Sequence, residues 1–461
     1  MHAAVCVDVG STFTKGAAVD VDSGALLATA SAPTTVGTDA MDGVDAVLAE
    51  LSQSLPGVDL SQVRGCSSAG GGLRLAVVGF ERAVTAEAGQ RVGLSAGAKV
   101  VHVSAGLLDP AGLAALAADR PDVVLLVGGT DGGNREVLLH NARALGAQAA
   151  AAAPRLEACV VVAGNADAGA DAEAVLSAAG RTVIRTANVL PRIGVLDPLP
   201  ARAAIREVFI AHVIGGKHLS GSPRFTAMIK AATPDAVLAG VELLADGADD
   251  ITGVGDVVVV DVGGATTDVY SVVTPDPEEA LRREVVEVMW RGRTVEGDLG
   301  VRWSATGILA AAAAEQLLHD GELEALQGPA LERVARPQLV AADAAARTVD
   351  ARLAELALTV ALRRHARAQD SGQVRHPGKD LRQVRLVVGS GGVLRHADPG
   401  ALAQILAPAR GDHAGGWKVP VRAGLAADLR YVLAAAGLLA GDHPRAAARL
   451  ATSALTRLTD A

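Results

Sequence analysis

Aromatic side chains are almost missing from this chain: three Trp, two Tyr and four Phe make up 2% of its 461 residues. That scarcity excludes a nucleic-acid platform built by stacking bases on rings, and it leaves Ala, Val, Leu and Ile to fill the interior. Cysteine is nearly as rare. Cys6, Cys66 and Cys159 are scattered with no CxxC pair, so neither a disulfide framework nor a thiolate metal site is supported, and a reducing, cytoplasmic setting is expected. Lysine occurs only at 15, 99, 217, 230, 379 and 418, and the formal net charge is −9. With no long basic block, neither nucleic acid nor an anionic membrane surface is the expected partner. No apolar run reaches the roughly 18 residues of a membrane span, and the start meets Asp8 too early for a signal peptide. The eleven histidines form no HExxH, and no GxSxG elbow is present. Gly215-Gly216-Lys217-His218 lacks the upstream glycine and the hydroxyl of a P-loop.

What the chain does have is length and apolar material. At 461 residues, half of them hydrophobic, it exceeds what one core supports, so two or three domains are expected. Residues 3–9 and 16–30 read as strands with a turn at Asp22-Ser23-Gly24, and 39–55 has helical spacing. A glycine turn at 67–72 precedes a strand over Leu73–Phe80. From 99 to 195, short all-apolar runs alternate with helices, the pattern of a parallel sheet buried on both faces. The expected division is a first lobe over 1–98 with part of 196–249, an inserted α/β domain over 99–195, a helical connection over 196–249 broken at Gly215-Gly216 and Pro234, and a second lobe over 250–461. In that second lobe, strands are expected at Val257–Val260, Val269–Val273, Glu284–Met289 and Leu386–Val388, with a last helix around 425–440.

Two cassettes carry the chemistry. Asp8-Val9-Gly10-Ser11-Thr12-Phe13-Thr14-Lys15 and Asp261-Val262-Gly263-Gly264-Ala265-Thr266-Thr267-Asp268 each follow a strongly apolar run and place a carboxylate, flexible backbone amides and hydroxyls where a strand turns back. Asp8 and Asp261 are candidate catalytic groups and Mg²⁺ ligands, since Mg²⁺ keeps much of its water and takes one or two carboxylates. Gly10 lets the backbone approach phosphate, Ser11, Thr12, Thr266 and Thr267 offer hydroxyls, and Lys15 supplies a compact positive charge. Asp261 ends a run too hydrophobic for an unpaired charge. Asp268 is either a further metal-shell group or a turn carboxylate. Gly389-Ser390-Gly391-Gly392, after a buried strand, is a third glycine turn on which adenosine could lie. Two other segments read as turns with a second option, Gly128–Asn134 as an anion or ligand site and Glu296 and Asp298 as metal support or a partner contact, and Gly164-Asn165-Ala166-Asp167 reads first as a turn.

The three turns resemble the phosphate-1, phosphate-2 and adenosine motifs of the actin, hexokinase and heat-shock-chaperone ATPase superfamily. With Cys66–Leu73, Thr85-Ala86-Glu87-Ala88, Gly128–Asn134, Val162-Ala163-Gly164-Asn165 and Thr294–Gly300, the chain resembles the MutL (GlmL) family encoded beside glutamate mutase, from about residue 3 to 440. That resemblance implies a duplicated ribonuclease-H-like, actin-like ATPase fold of two lobes, with an inserted small parallel α/β domain and ATP and Mg²⁺ between the lobes. Gly10, Ser11, Thr12 and Lys15 would then form the first phosphate site, Gly263, Gly264, Thr266 and Thr267 the second, and Gly389, Ser390, Gly391 and Gly392 the adenosine site. It further implies an accessory, reactivating chaperone, a weak Mg²⁺-dependent ATPase, whose partners are subunits of an adenosylcobalamin-dependent mutase. A metabolite kinase or ATP-driven hydrolase of the same fold, and a non-catalytic nucleotide-sensing protein, stay open as alternatives. Phe13 departs from the small residues common in the superfamily's first turn. No DxHxxG cobalamin signature is present, so any cobalamin belongs to the partner. Oligomeric state, including a homo-oligomer, is left open.

Overall fold

A computed structural model describes residues 2–35, 37–69, 73–147, 156–214, 219–274, 291–367, 369–370, 375–376 and 378–458. Gly70–Gly72, Gly215–His218 and the strand expected at Glu284–Met289 lie outside these.

The seven residues of β1 (Ala3–Val9) are all buried, as the central strand of a sheet must be. β1 runs antiparallel to β2 (Phe13–Asp20), which pairs antiparallel with β3 (Leu26–Pro33). On its other side β1 runs parallel to β4 (Gln62–Ser67). The chain then leaves this sheet for a second, wholly parallel one, made of β5 (Arg74–Gly79), β6 (Lys99–Ala105), β7 (Val123–Leu126), β8 (Cys159–Val162) and β9 (Val183–Arg185) in the order β6-β5-β7-β8-β9. This sheet begins before the expected boundary at 99. β5 belongs to it, and its Leu-Ala-Val-Val run is buried on both faces, as are β7 and β8, which follow it in the sheet. The first sheet closes when β10 (Ile229–Ala232) pairs parallel with β4. That strand was not legible in a stretch expected to be helical, because four residues set no period. Pro234 does not break a helix: it opens the helix Thr233–Asp246, where its missing N–H costs nothing.

After a two-residue hairpin of β11 (Gly247–Ala248) and β12 (Ile251–Thr252), the third sheet repeats the first. β13 (Val257–Val262) is its centre, with β14 (Thr267–Val272) and then β15 (Arg291–Glu296) antiparallel on one side. A short pair, β16 (Gln369–Asp370) and β17 (Arg375–His376), precedes β18 (Leu386–Ser390) and β19 (Gly424–Ala427), which lie parallel on the other side. β20 (Thr456–Leu458) adds an antiparallel edge. Strand for strand and direction for direction, β3-β2-β1-β4-β10 and β15-β14-β13-β18-β19 are the same sheet. The stretch expected as one helix at 425–440 is β19 followed by the helix Val432–Leu439, since an Ala/Leu run does not distinguish strand from helix.

The two like sheets share one core. Ala4 and Cys6 of β1, Val257 and Val259 of β13, and Leu238, Val241, Leu433 and Leu439 of two helices are buried together. Those helices, Thr233–Asp246 and Val432–Leu439, touch backbone to backbone. A Cβ on Gly240 would lie 2.0 Å from the Leu433 carbonyl oxygen, and one on Gly437 would lie 1.8 Å from that of Ala236. A methyl at Gly437 must therefore separate the helices that join the lobes. Gly437→Ala is expected to cost roughly 1–3 kcal/mol, read as a lowered thermal midpoint, whereas Gly441→Ala, with nothing within 4 Å of its Cβ, leaves the midpoint unchanged.

Candidate functional site

Both cassettes close in the same way. Gly10 N–H donates to the Phe13 carbonyl (3.2 Å) and Gly263 N–H to that of Thr266 (2.9 Å). A Cβ on either glycine would sit 2.8 Å from that same carbonyl oxygen, so each turn requires the missing side chain. The registers also correspond: Asp8 faces Lys15, and Asp261 faces Asp268. Equivalent positions of the duplication thus carry opposite charges. Thr14 and Thr267, at matching places, are fully buried.

Strand alternation turns Asp8, Lys15 and Asp261 toward the space between the lobes. Asp8, 9% exposed, is held by three elements. The Thr233 hydroxyl donates to its Oδ1 (2.6 Å), the Cys66 thiol donates to the same oxygen (3.6 Å), and Lys15 Nζ lies 3.5 Å from its Oδ2. Burial first, and Asp8 second, push the Cys66 thiol well above its ordinary range, so it stays a neutral donor. Burial alone would lower the Lys15 ammonium, but Asp8, then Tyr431, then Asp261 more than offset this and raise it. Lys15 is therefore a fixed positive charge shared by one carboxylate from each lobe.

Asp261 is the poised group. Desolvation lifts its carboxyl from 3.8 to about 6; Lys15 pulls the other way, Asp268 and Asp8 add to the rise, and a hydrogen bond from Ser390 lowers it. Ser390 faces Asp261 in the β13–β18 register. Gly391, at φ +115°, presses on the second cassette so closely that a Cβ would lie 2.2 Å from the Val262 carbonyl oxygen. The structure thus brings the third glycine turn against the second cassette, while Gly389 packs on Leu394 and Leu406 and is a core residue.

Four side chains here were not legible in the sequence. Tyr431 stands at φ +55°, a conformation that costs a non-glycine residue on the order of 1–3 kcal/mol. Its ring takes Lys15 Nζ 4.0 Å from the centroid and the Arg395 guanidinium at 5.0 Å. Asp428, buried, accepts from Val432 N–H (2.9 Å) and Leu433 N–H (3.1 Å) and so caps the helix that crosses between the lobes. Thr233 and Cys66 orient Asp8. The available signals were faint: a tyrosine in a chain with two, and a Thr-Pro helix start.

Each segment left with two readings has hydrogen-bond partners within the chain. Asp268 is an ion-pair partner: its Oδ1 accepts from Arg293 Nε (2.8 Å) and Nη2 (2.5 Å), and its Oδ2 from the Thr266 hydroxyl (3.0 Å). Arg364 clamps Glu296 (2.7 Å) and both oxygens of Asp298 (2.8 and 2.9 Å). Gly128–Asn134 is a self-satisfied turn, with Asn188 Nδ2 donating to Gly129 O (3.0 Å) and Asp131 Oδ1 (2.8 Å), and Asn165 Nδ2 to Gly133 O (3.1 Å). Among the described residues no three His, Cys, Asp or Glu side chains gather as a ready metal cage. Among the described residues Ser11 and Thr12 have no side-chain hydrogen-bond partner, while the Gly264 carbonyl accepts from Arg302 N–H and Trp303 N–H (both 2.9 Å).

A duplicated ribonuclease-H-like sheet, with matching turns facing across the cleft and a parallel α/β unit between β4 and β10, defines the two-lobed fold of the actin-like ATPases. The chain matches the model of the MutL protein family over residues 4–455 and belongs to that family. Protein MutL of Clostridium tetanomorphum is 35% identical over 475 residues, which cover 99% of this chain and 100% of that one. Among solved structures, acetone carboxylase is 14% identical with a TM-score of 0.40, over 96% of this chain and 70% of that one. Xylulose kinase from Rhodospirillum rubrum is 16% identical with a TM-score of 0.33, over 99% and 93%.

The raised Asp261 carboxyl fixes a sign. Between pH 3.8 and about 6 the folded chain holds a proton that the unfolded chain has released, so this group's contribution to stability falls as pH rises through that window. Asp261→Asn is expected to raise the thermal midpoint at pH 8 and leave it unchanged at pH 3. An equal gain at both values would place the effect outside this titration.

Proposed function

We propose that this chain binds ATP with Mg²⁺ between its two lobes, hydrolyses it slowly, and uses the resulting lobe movement to service an adenosylcobalamin-dependent mutase such as glutamate mutase. One observation carries the nucleotide part: the half-buried Lys15 ammonium lies 3.5 Å from the Asp8 carboxylate of its own lobe and over the Tyr431 ring of the other, within electrostatic reach of Asp261 in the equivalent turn. Two acidic groups fit Mg²⁺, which needs few carboxylates because it retains water. Asp8 and Asp261 would hold the ion, and bound Mg²⁺ would supply charge neutralisation for the phosphate oxygens. Lys15 would add its ammonium to the same phosphates, and the Gly10 and Gly263 turns would bring backbone close to them. The Gly389–Gly392 turn, lying against the second cassette with Arg395 and Tyr431 beside it, would take the nucleoside end.

The accessory role rests on family membership together with the client that the resemblance implies. A protein that closes on nucleotide has a means to act on a partner, because occupancy is linked to the relative position of the lobes. Chemistry at the client would be the client's own. No helix among the described residues is long and apolar enough to cross a membrane.

Two measurements test the reading. Mg-ATP is expected to raise the thermal midpoint of the chain, and Asp8→Ala and Asp261→Ala are expected to abolish that rise with circular dichroism unchanged; a rise retained in both variants contradicts the site. Separately, the purified chain with Mg-ATP is expected to restore activity to an inactivated cobalamin mutase. Restoration that is equal without nucleotide contradicts the coupling.

A further inference from the structure

A second cavity lies beside the two helices that join the lobes. Its volume is about 570 Å³, within the range of small-molecule sites, roughly 300–1,000 Å³. The first lobe contributes β4 with Arg64, β10 with Lys230, Arg206, and the start of the helix Thr233–Asp246 with Asp235. The second lobe contributes the end of the helix Val432–Leu439 and the following Gly441 and Asp442. Leu438 lines this cavity and also the one containing Asp8, Lys15 and Tyr431.

The charges in the cavity are unequally committed. Asp235, 2% exposed at its side chain, is locked between Arg206 Nε (2.5 Å) and Arg202 Nη2 (3.4 Å). Arg64 pairs with Asp442 across the lobes, but the Asp442 side chain is 66% exposed, and such a partner holds weakly. Lys230 Nζ donates to the Ala227 carbonyl (2.8 Å) and has no ion-pair partner among the described residues. The cavity therefore presents one ammonium held only by a backbone carbonyl and one guanidinium whose carboxylate water readily replaces. Charge-assisted hydrogen bonds to an oxyanion would satisfy both.

We propose that this cavity binds a small metabolite carrying an oxyanion group, phosphate or carboxylate, with Lys230 and Arg64 as its cationic contacts and Asp442 as the group it displaces. Because both lobes line it, occupancy would bear on the hinge independently of what fills the cleft between the cassettes.

The test is calorimetric titration of the full chain with inorganic phosphate, and in a parallel arm with succinate, at constant ionic strength set by chloride. Saturable binding in at least one arm is expected. Lys230→Ala should weaken it about tenfold, the loss of one charge-assisted contact. Asp442→Asn should tighten it, because the competing carboxylate is gone. Asp8→Ala should leave it unchanged, which separates this site from the nucleotide reading. Absence of saturation in both arms, equal affinity in Lys230→Ala, or loss of binding in Asp8→Ala would each overturn the proposal.

Discussion

The two turns of this molecule meet around one half-buried ammonium. Lys15 comes from the first lobe, faces Asp8 across a hairpin, lies over the ring of Tyr431 from the second lobe, and reaches Asp261 electrostatically. Ionisable groups in a poorly hydrated space are costly unless paired, and here Lys15 is paired directly with Asp8 while Asp261 feels its charge at longer range. Burial first, and then Asp268 and Asp8, raise the Asp261 carboxyl against the pull of Lys15.

The hinge gives that arrangement its precision. Gly240 and Gly437 let two helices meet backbone to backbone, and Asp428 caps one of them while its own N–H donates to the Gly389 carbonyl (2.8 Å). The capped helix, the third glycine turn and the second cassette are thus tied into one unit. Strain at Tyr431 is offset by where it places the ring, between cations from two parts of the chain. A change in lobe angle would pull Lys15 from that ring, which links the state of the cleft to the state of the hinge.

Much of this was legible from sequence. Apolar runs ending in Asp-x-Gly located β1, β13 and both turns, because a hairpin that needs glycine and a buried strand that ends in a carboxylate are local statements. The parallel sheet was legible from its all-apolar runs, although β5 was assigned to the wrong sheet because a strand does not announce its neighbours. Three things were not legible for the same reason. β10 is four residues without a period, the partners of Asp8 come from positions 66 and 233, and Asp268 gives no local hint that Arg293 neutralises it. Local pattern fixes where a strand turns; only the assembled sheets show what waits on the other side.

The account stands on electrical coupling between Lys15 and Asp261 across the lobes. The direct measurement is the ionisation of the Asp261 carboxyl by carbon-detected magnetic resonance in the unaltered chain and in Lys15→Met. Coupling predicts a midpoint near 6 that moves upward when the ammonium is removed. A midpoint that does not move would show that the two turns do not form a common site.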